Sequence, residues 1–127
     1  MCILYESLGV NNYFSCLKLV DIVVGNSSSG IIEVPSFNIP TINIGDRQKG
    51  RVSSKSVINT SCKKDSIVKA IKKALDRNFR KKILKYKNPY KKNNTINLSF
   101  KIIKNLNLGI NLKKKFFDIK IKWKLYL

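Results

Sequence analysis

The stretch Gly25-Asn26-Ser27-Ser28-Ser29-Gly30-Ile31-Ile32-Glu33 decides the fold. It follows the apolar run Ile22-Val23-Val24 and leads into a helical pattern. A buried strand, a turn of small residues and a helix start is how α/β proteins hold phosphate. The first N–H groups of a helix lack partners, and its dipole favours an anion there. Ser27, Ser28 and Ser29 add hydroxyl donors, and Gly25 and Gly30 let the backbone approach closely. Glu33 falls one turn into the expected helix. A carboxylate beside a phosphate repels it, unless it reaches past to a neutral diol such as a ribose. The combination points to a nucleotide or nucleotide sugar rather than to free phosphate.

Outward from this turn, strand and helix signals alternate. Residues 12–20 read as a short helix with Tyr13, Cys16, Leu17 and Val20 on its apolar face and Asn11 or Asn12 as N-cap. Residues 22–24 form a strand and 28–36 the helix after the serine turn, with Pro35 placed early, where a missing N–H costs least. Thr41-Ile42-Asn43-Ile44 is a second strand, and residues 56–59 a third short one. Residues 64–76 give the clearest helix, with Ile67, Val68, Ala70, Ile71, Ala74 and Leu75 as its buried stripe. Phe79, Ile83 and Leu84 mark a further short helix, which Asn88-Pro89-Tyr90 breaks. A helix from about 95 to 107 turns Leu98, Ile102, Ile103 and Leu106 inward, and Gly109 ends it. Residues 119–127 alternate apolar residues with lysine, as an edge strand or an unstructured tail does.

Such alternation predicts an α/β fold, a Rossmann-like parallel sheet flanked by helices. Ligands of such sheets bind beyond the strand C-termini. Both the 25–30 turn and the loop Gly45-Asp46-Arg47-Gln48-Lys49-Gly50-Arg51 follow strands, so one ligand can touch both. Arg47, Lys49 and Arg51 offer cationic partners for a diphosphate, guanidinium being suited to bidentate contact. The plainer readings are a solvated loop for these three, a turn residue or an Arg47 ion-pair partner for Asp46, and a dipole-stabilised carboxylate for Glu33. For Tyr13, a core aromatic stands beside a base-stacking role.

Composition excludes several classes. The 127 residues make at most one domain. No apolar run approaches the roughly 18 residues of a transmembrane segment. The N-terminus has no basic start and no long apolar stretch, so it does not read as a signal peptide. There is no histidine, which removes imidazole acid–base chemistry from this chain, and Cys2, Cys16 and Cys62 form no CxxC pair. A zinc site is therefore not expected, and the cysteines read as reduced thiols in a cytoplasmic protein. The net charge of +19 is lopsided: residues 1–62 hold 5 lysines and arginines against 4 acids, residues 63–127 hold 21 against 3. One reading is a surface for nucleic acid or anionic membrane. The lysines do not form one tight cluster with interleaved aromatics, which favours a solvated, lysine-rich surface instead.

The residues also carry a resemblance. The chain resembles the C-terminal domain of the hydrolysing UDP-N-acetylglucosamine 2-epimerases, bacterial enzymes that make N-acetylmannosamine or a diacetamido relative for sialic-acid-like sugars. The matching residues are 25–33 as quoted, Pro35-Ser36-Phe37, Pro40 through Arg51, Ser56-Val57-Ile58, Asn88-Pro89-Tyr90 and the late run at 113–119. The Asp-Arg-Gln-x-Gly-Arg string at 46–51 is the most specific, separating the hydrolysing branch from the non-hydrolysing epimerases.

The resemblance implies the C-terminal half of a two-domain GT-B fold, with residues 1–119 as the UDP-binding domain and 120–127 as a basic tail. It implies that Ser27 and Ser28 hold the diphosphate, with Ser29 in the same UDP-binding turn and Gly30 allowing close approach, that Glu33 grips the ribose hydroxyls, that Arg47 lies near the nucleotide, and that Tyr13 lies on the uracil side. The family reaction eliminates UDP across C1–C2 and adds water to the resulting glycal, with no metal and no organic cofactor. Family members self-associate. Met1 falls well inside the family pattern, and the N-terminal domain that supplies the acids and bases is expected to be absent or separately encoded. The chain alone is then a UDP half-site without turnover. After Asn-Pro-Tyr the family usually has Gly-Asp-Gly, where this chain has Lys91-Lys92-Asn93-Asn94. The alternatives are a non-catalytic basic module binding nucleic acid or membrane through residues 63–127, and an inactive truncated gene product.

Overall fold

The structure is a computed structural model that describes residues 2–106. The chain forms two compact units, Met1–Lys92 and Asn93–Leu127. The first unit holds α1 (Gly9–Leu17), β1 (Val23–Gly25), α2 (Ser29–Ile32), a 3-10 turn (Val34–Phe37), β2 (Thr41–Ile44), β3 (Val57–Thr60), α3 (Lys64–Leu75) and α4 (Arg77–Ile83). The strands make a parallel sheet in the order β1-β2-β3, with Val23 opposite Thr41 and Ile42 opposite Ile58. The arrangement is the expected Rossmann-like α/β layering.

β2 is the centre of the sheet, and its successive side chains feed opposite faces. Ile42 packs with Ile58, Ala70 and Ala74, with Ile44, Ile71 and Phe79 around them, so α3 lies on that face. Thr41 points the other way and donates from Oγ1 to Gly30 O at 2.7 Å, which seats α2. A second core cluster joins Leu17, Val34 and Ile39 to Tyr13, Phe14, Val23 and Phe37, so α1 and the 3-10 turn share their apolar sides. α3 carries Asp65 in its first turn and Lys72 and Lys73 in its last, as the dipole favours. Asp76 caps α4 by accepting from Phe79 N at 2.8 Å.

The departures from expectation have local causes. α1 begins at Gly9, three residues earlier than read, with Leu8 as N-cap and no side-chain cap, so Asn11 and Asn12 lie within the helix. It ends at Leu17, and Val20 of the expected apolar face lies outside it, 41% exposed. The expected helix over 28–36 is broken. α2 stops at Ile32, and Val34–Phe37 is a 3-10 turn closed by Asn38 in the left-handed region (φ 57°). Pro35 supplies no N–H and disfavours α geometry in the residue before it. On α3, Val68 and Leu75 are exposed, so the buried stripe narrows to Ala70 and Ala74 with Ile67 and Ile71 half-buried. Leu84 is exposed just beyond α4.

In the second unit, α5 (Thr95–Lys104) forms where expected but shorter. Leu98, Ile102, Ile103 and Leu106, read as inward, are each more than half exposed. One turn of charged or amide residues between apolar ones does not by itself create a neighbour to pack against. The Gly109 terminus, the 119–127 segment and the boundary at 119/120 lie outside the described residues.

Candidate functional site

β1 and β2 run parallel, with Gly25 opposite Asn43, so the loops that follow them leave the sheet at the same edge. This brings the serine turn and the 45–51 loop together, as the sequence predicts. Gly45 (φ 75°) and Gly50 (φ 82°) bracket the second loop in conformations that L side chains rarely adopt. Between them Lys49 N donates to Asp46 O at 2.9 Å and Arg51 N to Gln48 O at 3.2 Å.

In the serine turn, the Ser27 and Ser28 amides donate to no group among the described residues, while Gly30 N and Ile31 N bond back to Ser27 O and Ser28 O. Ser27 Oγ accepts from Ser29 N at 3.4 Å. The helix that follows has only four residues. Its dipole is correspondingly small, so what the turn offers an anion is individual N–H and O–H donors more than the macrodipole read from sequence.

Ser29 Oγ and Tyr13 OH share a hydrogen bond, so Tyr13 is both part of the α1 cluster and part of the site rim. Glu33 closes α2 rather than lying inside a longer helix. Its Oε2 atom is buried and has no hydrogen-bond partner. Tyr13, Ser29 and Glu33 line a groove of about 510 Å³ together with Tyr5, Leu8 and Phe14. A second, smaller cavity of about 220 Å³ is lined by Asn43, Asp46, Gln48, Lys49, Arg51 and Asn59. Asn43 Nδ2 donates to Asn59 Oδ1 there, at 2.8 Å.

Two residues have structural roles beside the expected ones. Gly30 is buried, and a Cβ there would stand 2.7 Å from Thr41 Cγ2, so its lack of a side chain lets α2 sit closely on β2. Asp46 serves as the turn residue, its O accepting from Lys49 N. Asp46 forms no ion pair with Arg47, since Arg80–Asp21 at 2.8 Å is the one ion pair among the described residues. Arg47 is exposed and lines neither cavity. No cluster of three or more His, Cys, Asp or Glu side chains able to hold a metal occurs among the described residues, and none of their helices is long and apolar enough to cross a membrane.

Sequence reading missed two residues. Gln48 is only 5% exposed and donates from Nε2 to Asn26 O at 2.7 Å, tying one loop to the other. A glutamine flanked by charged residues gives no signal of burial. In the sequence, Asn88 reads only as part of the segment that breaks a helix. Its Nδ2 donates to Ile32 O at 2.8 Å and to Ser36 Oγ at 2.7 Å, and its Oδ1 accepts from Tyr90 N at 3.0 Å. It therefore clamps the segment carrying Glu33 from both sides. The bond from Tyr90 N to Asn88 Oδ1 is an Asx turn, the local part of what this residue does. Asn88→Asp replaces the donor by an acceptor facing Ile32 O, and is expected to cost about 2 kcal/mol in urea unfolding.

Comparison with known proteins agrees with this geometry. The family model for UDP-N-acetylglucosamine 2-epimerase matches residues 1–105. Polysialic acid biosynthesis protein P7 of Escherichia coli is 42% identical over 114 residues, which are 89% of this chain and 29% of that protein. The GDP/UDP-N,N'-diacetylbacillosamine 2-epimerase (hydrolyzing) of Campylobacter jejuni is 38% identical over 117 residues, 91% of this chain and 30% of that protein. The UDP-N,N'-diacetylbacillosamine 2-epimerase (hydrolyzing) of Legionella pneumophila is 35% identical over 103 residues, 81% of this chain and 26% of that protein. The basic-module alternative finds no support among these relatives. The chain belongs to the UDP-N-acetylglucosamine 2-epimerase family, corresponds to its C-terminal part, and spans less than a third of the length of these curated relatives.

Proposed function

We propose that this chain supplies the UDP-binding half of a hydrolysing 2-epimerase acting on a UDP-2-acetamido sugar. The observation that carries it is Glu33 Oε2, buried without a partner at a groove beside an anion-suited turn. A ribose diol donates two hydroxyl protons and fits an acceptor-only carboxylate. The Ser27 and Ser28 amides, with hydroxyls of Ser27, Ser28 and Ser29, hold the diphosphate. Arg47, exposed and unpaired, adds charge when ligand arrives. Tyr13 borders the uracil side of the groove.

In the family reaction the C2 proton leaves, the C1–O bond breaks to release UDP, and water adds across the resulting glycal to give the 2-epimer. This chain's part is to neutralise and orient the departing diphosphate. The proton-transferring groups come from other parts of the enzyme, in the same polypeptide or a second one, and self-association of the complete enzyme is part of the same reading. The setting is the cytoplasm, in keeping with three unpaired cysteines.

The test is calorimetric titration of UDP, uridine and inorganic pyrophosphate into the purified chain at two salt concentrations. Saturable binding with UDP tighter than uridine, and uridine tighter than pyrophosphate, is expected. A folded chain that takes pyrophosphate as well as UDP, with steep salt dependence, overturns the nucleotide half-site.

A further inference from the structure

We propose that Gln48 is a positioning residue that aims the Ser27 amide at the diphosphate; this rests on the nucleotide reading above. Gln48 lies in a loop whose neighbours Arg47, Lys49, Gly50 and Arg51 are all exposed, yet it is 5% exposed itself. Its Nε2 bond to Asn26 O, at 2.7 Å, is the only hydrogen bond among the described residues that joins the 26–30 turn to the 45–51 loop.

The peptide group gives this bond its meaning. Asn26 C=O and Ser27 N–H belong to one planar trans unit and point in opposite directions. Holding the oxygen on one side fixes the N–H on the other. A carbonyl that accepts a hydrogen bond also polarises its own amide and makes it a better donor. Ser27 N–H makes no bond of its own among the described residues. Gln48 thus orients and strengthens a donor without touching the ligand.

The rest of the side chain argues against a simple packing role. Gln48 Oε1 is buried without a partner. A buried acceptor left unsatisfied is costly, and an apolar side chain of the same length removes that cost. Asn26 is exposed, so water replaces the lost donor at its carbonyl. Stability alone therefore gives no preference for glutamine over methionine here, whereas orientation of the peptide does.

Gln48→Met keeps the length and removes the donor. Gln48→Glu puts an acceptor against Asn26 O. The expected result for Gln48→Met is a fall of about tenfold in UDP affinity with uridine affinity unchanged, and a thermal midpoint within about 4 °C of the parent. Gln48→Glu loses more UDP affinity and again spares uridine. In the ligand-free protein, amide exchange at Gly30 and Ile31, which bond back to Ser27 O and Ser28 O, accelerates in Gln48→Met relative to the amides of β2. Equal losses for UDP and uridine, or unchanged UDP affinity in a folded variant, overturn the assignment. If the parent chain binds neither ligand, the nucleotide reading fails by itself. The exchange data then decide on Gln48, and rates at Gly30 and Ile31 that do not change refute the coupling.

Discussion

Glu33→Gln is expected to lower the affinity of the chain for UDP by about ten- to a hundredfold while leaving the protein slightly more stable. Both effects follow from one atom. Glu33 Oε2 is withdrawn from solvent and has no partner in the free protein. In the proposed complex it accepts from a ribose hydroxyl. Hydrogen bonds to a charged group contribute about 1.5–3 kcal/mol, and the neutral amide gives up most of that. In the free protein, an amide is less costly to bury than an unpaired carboxylate, so the thermal midpoint rises. The loss is specific to the diol. A UDP analogue lacking both ribose hydroxyls binds the parent and the variant alike. Calorimetric titration of both ligands into both proteins makes a cycle, and a variant that discriminates against the analogue as strongly as the parent does excludes Glu33 from the ribose contact.

A rise in stability on removing a polar side chain is the signature of a residue kept for binding. Three side-chain atoms among the described residues are buried without a partner: Glu33 Oε2, Gln48 Oε1 and Ser56 Oγ. Gln48 lies in the loop after β2, and Glu33 closes the short α2 that follows the loop after β1. Ser56 precedes β3 at the other end of the strands, so two of the three unsatisfied atoms lie where a ligand is expected to satisfy them.

The sequence made the sheet and the site edge legible for a physical reason. Ile22-Val23-Val24 and Thr41–Ile44 are short runs bounded by Gly, Asn and Pro; β2 is the central strand and buried, as that pattern predicts, whereas β1, read as buried, is an edge strand with Val24 exposed. The serine turn and the Arg-Gln loop follow those strands, so their meeting at one edge needed only the strand direction. Less was legible where tertiary contacts decided the outcome. Pro35 split a helix whose apolar spacing looked continuous. Val68 and Leu75 fit the apolar period of α3 yet find no cover. Gln48 and Asn88 act through bonds to residues 22 and more than 50 positions away, which no local pattern encodes.

Gly30→Ala is expected to be the most destabilising small substitution in the site region, and its cause is separable from any ligand. Its Cβ would stand 2.7 Å from Thr41 Cγ2, on a central strand that cannot shift without disturbing both neighbours. Overpacking of this kind costs about 1–3 kcal/mol, or a fall of about 4–8 °C in thermal midpoint for each kcal/mol lost. Thr41 cannot simply rotate away, because its Oγ1 donates to Gly30 O at 2.7 Å and a new rotamer breaks that bond. Thr41→Ser keeps the hydroxyl and deletes the clashing methyl. The double variant Gly30→Ala with Thr41→Ser is therefore expected to recover most of the stability lost by Gly30→Ala, so the two changes are strongly non-additive in urea unfolding. Additive losses would show that the Thr41 methyl is not what makes an alanine costly at this helical position. Recovery of stability in the double variant, together with recovered UDP binding, would assign this glycine to the seating of the serine turn on the sheet. The turn's aim would then depend on β2 beneath it as well as on the loop beside it.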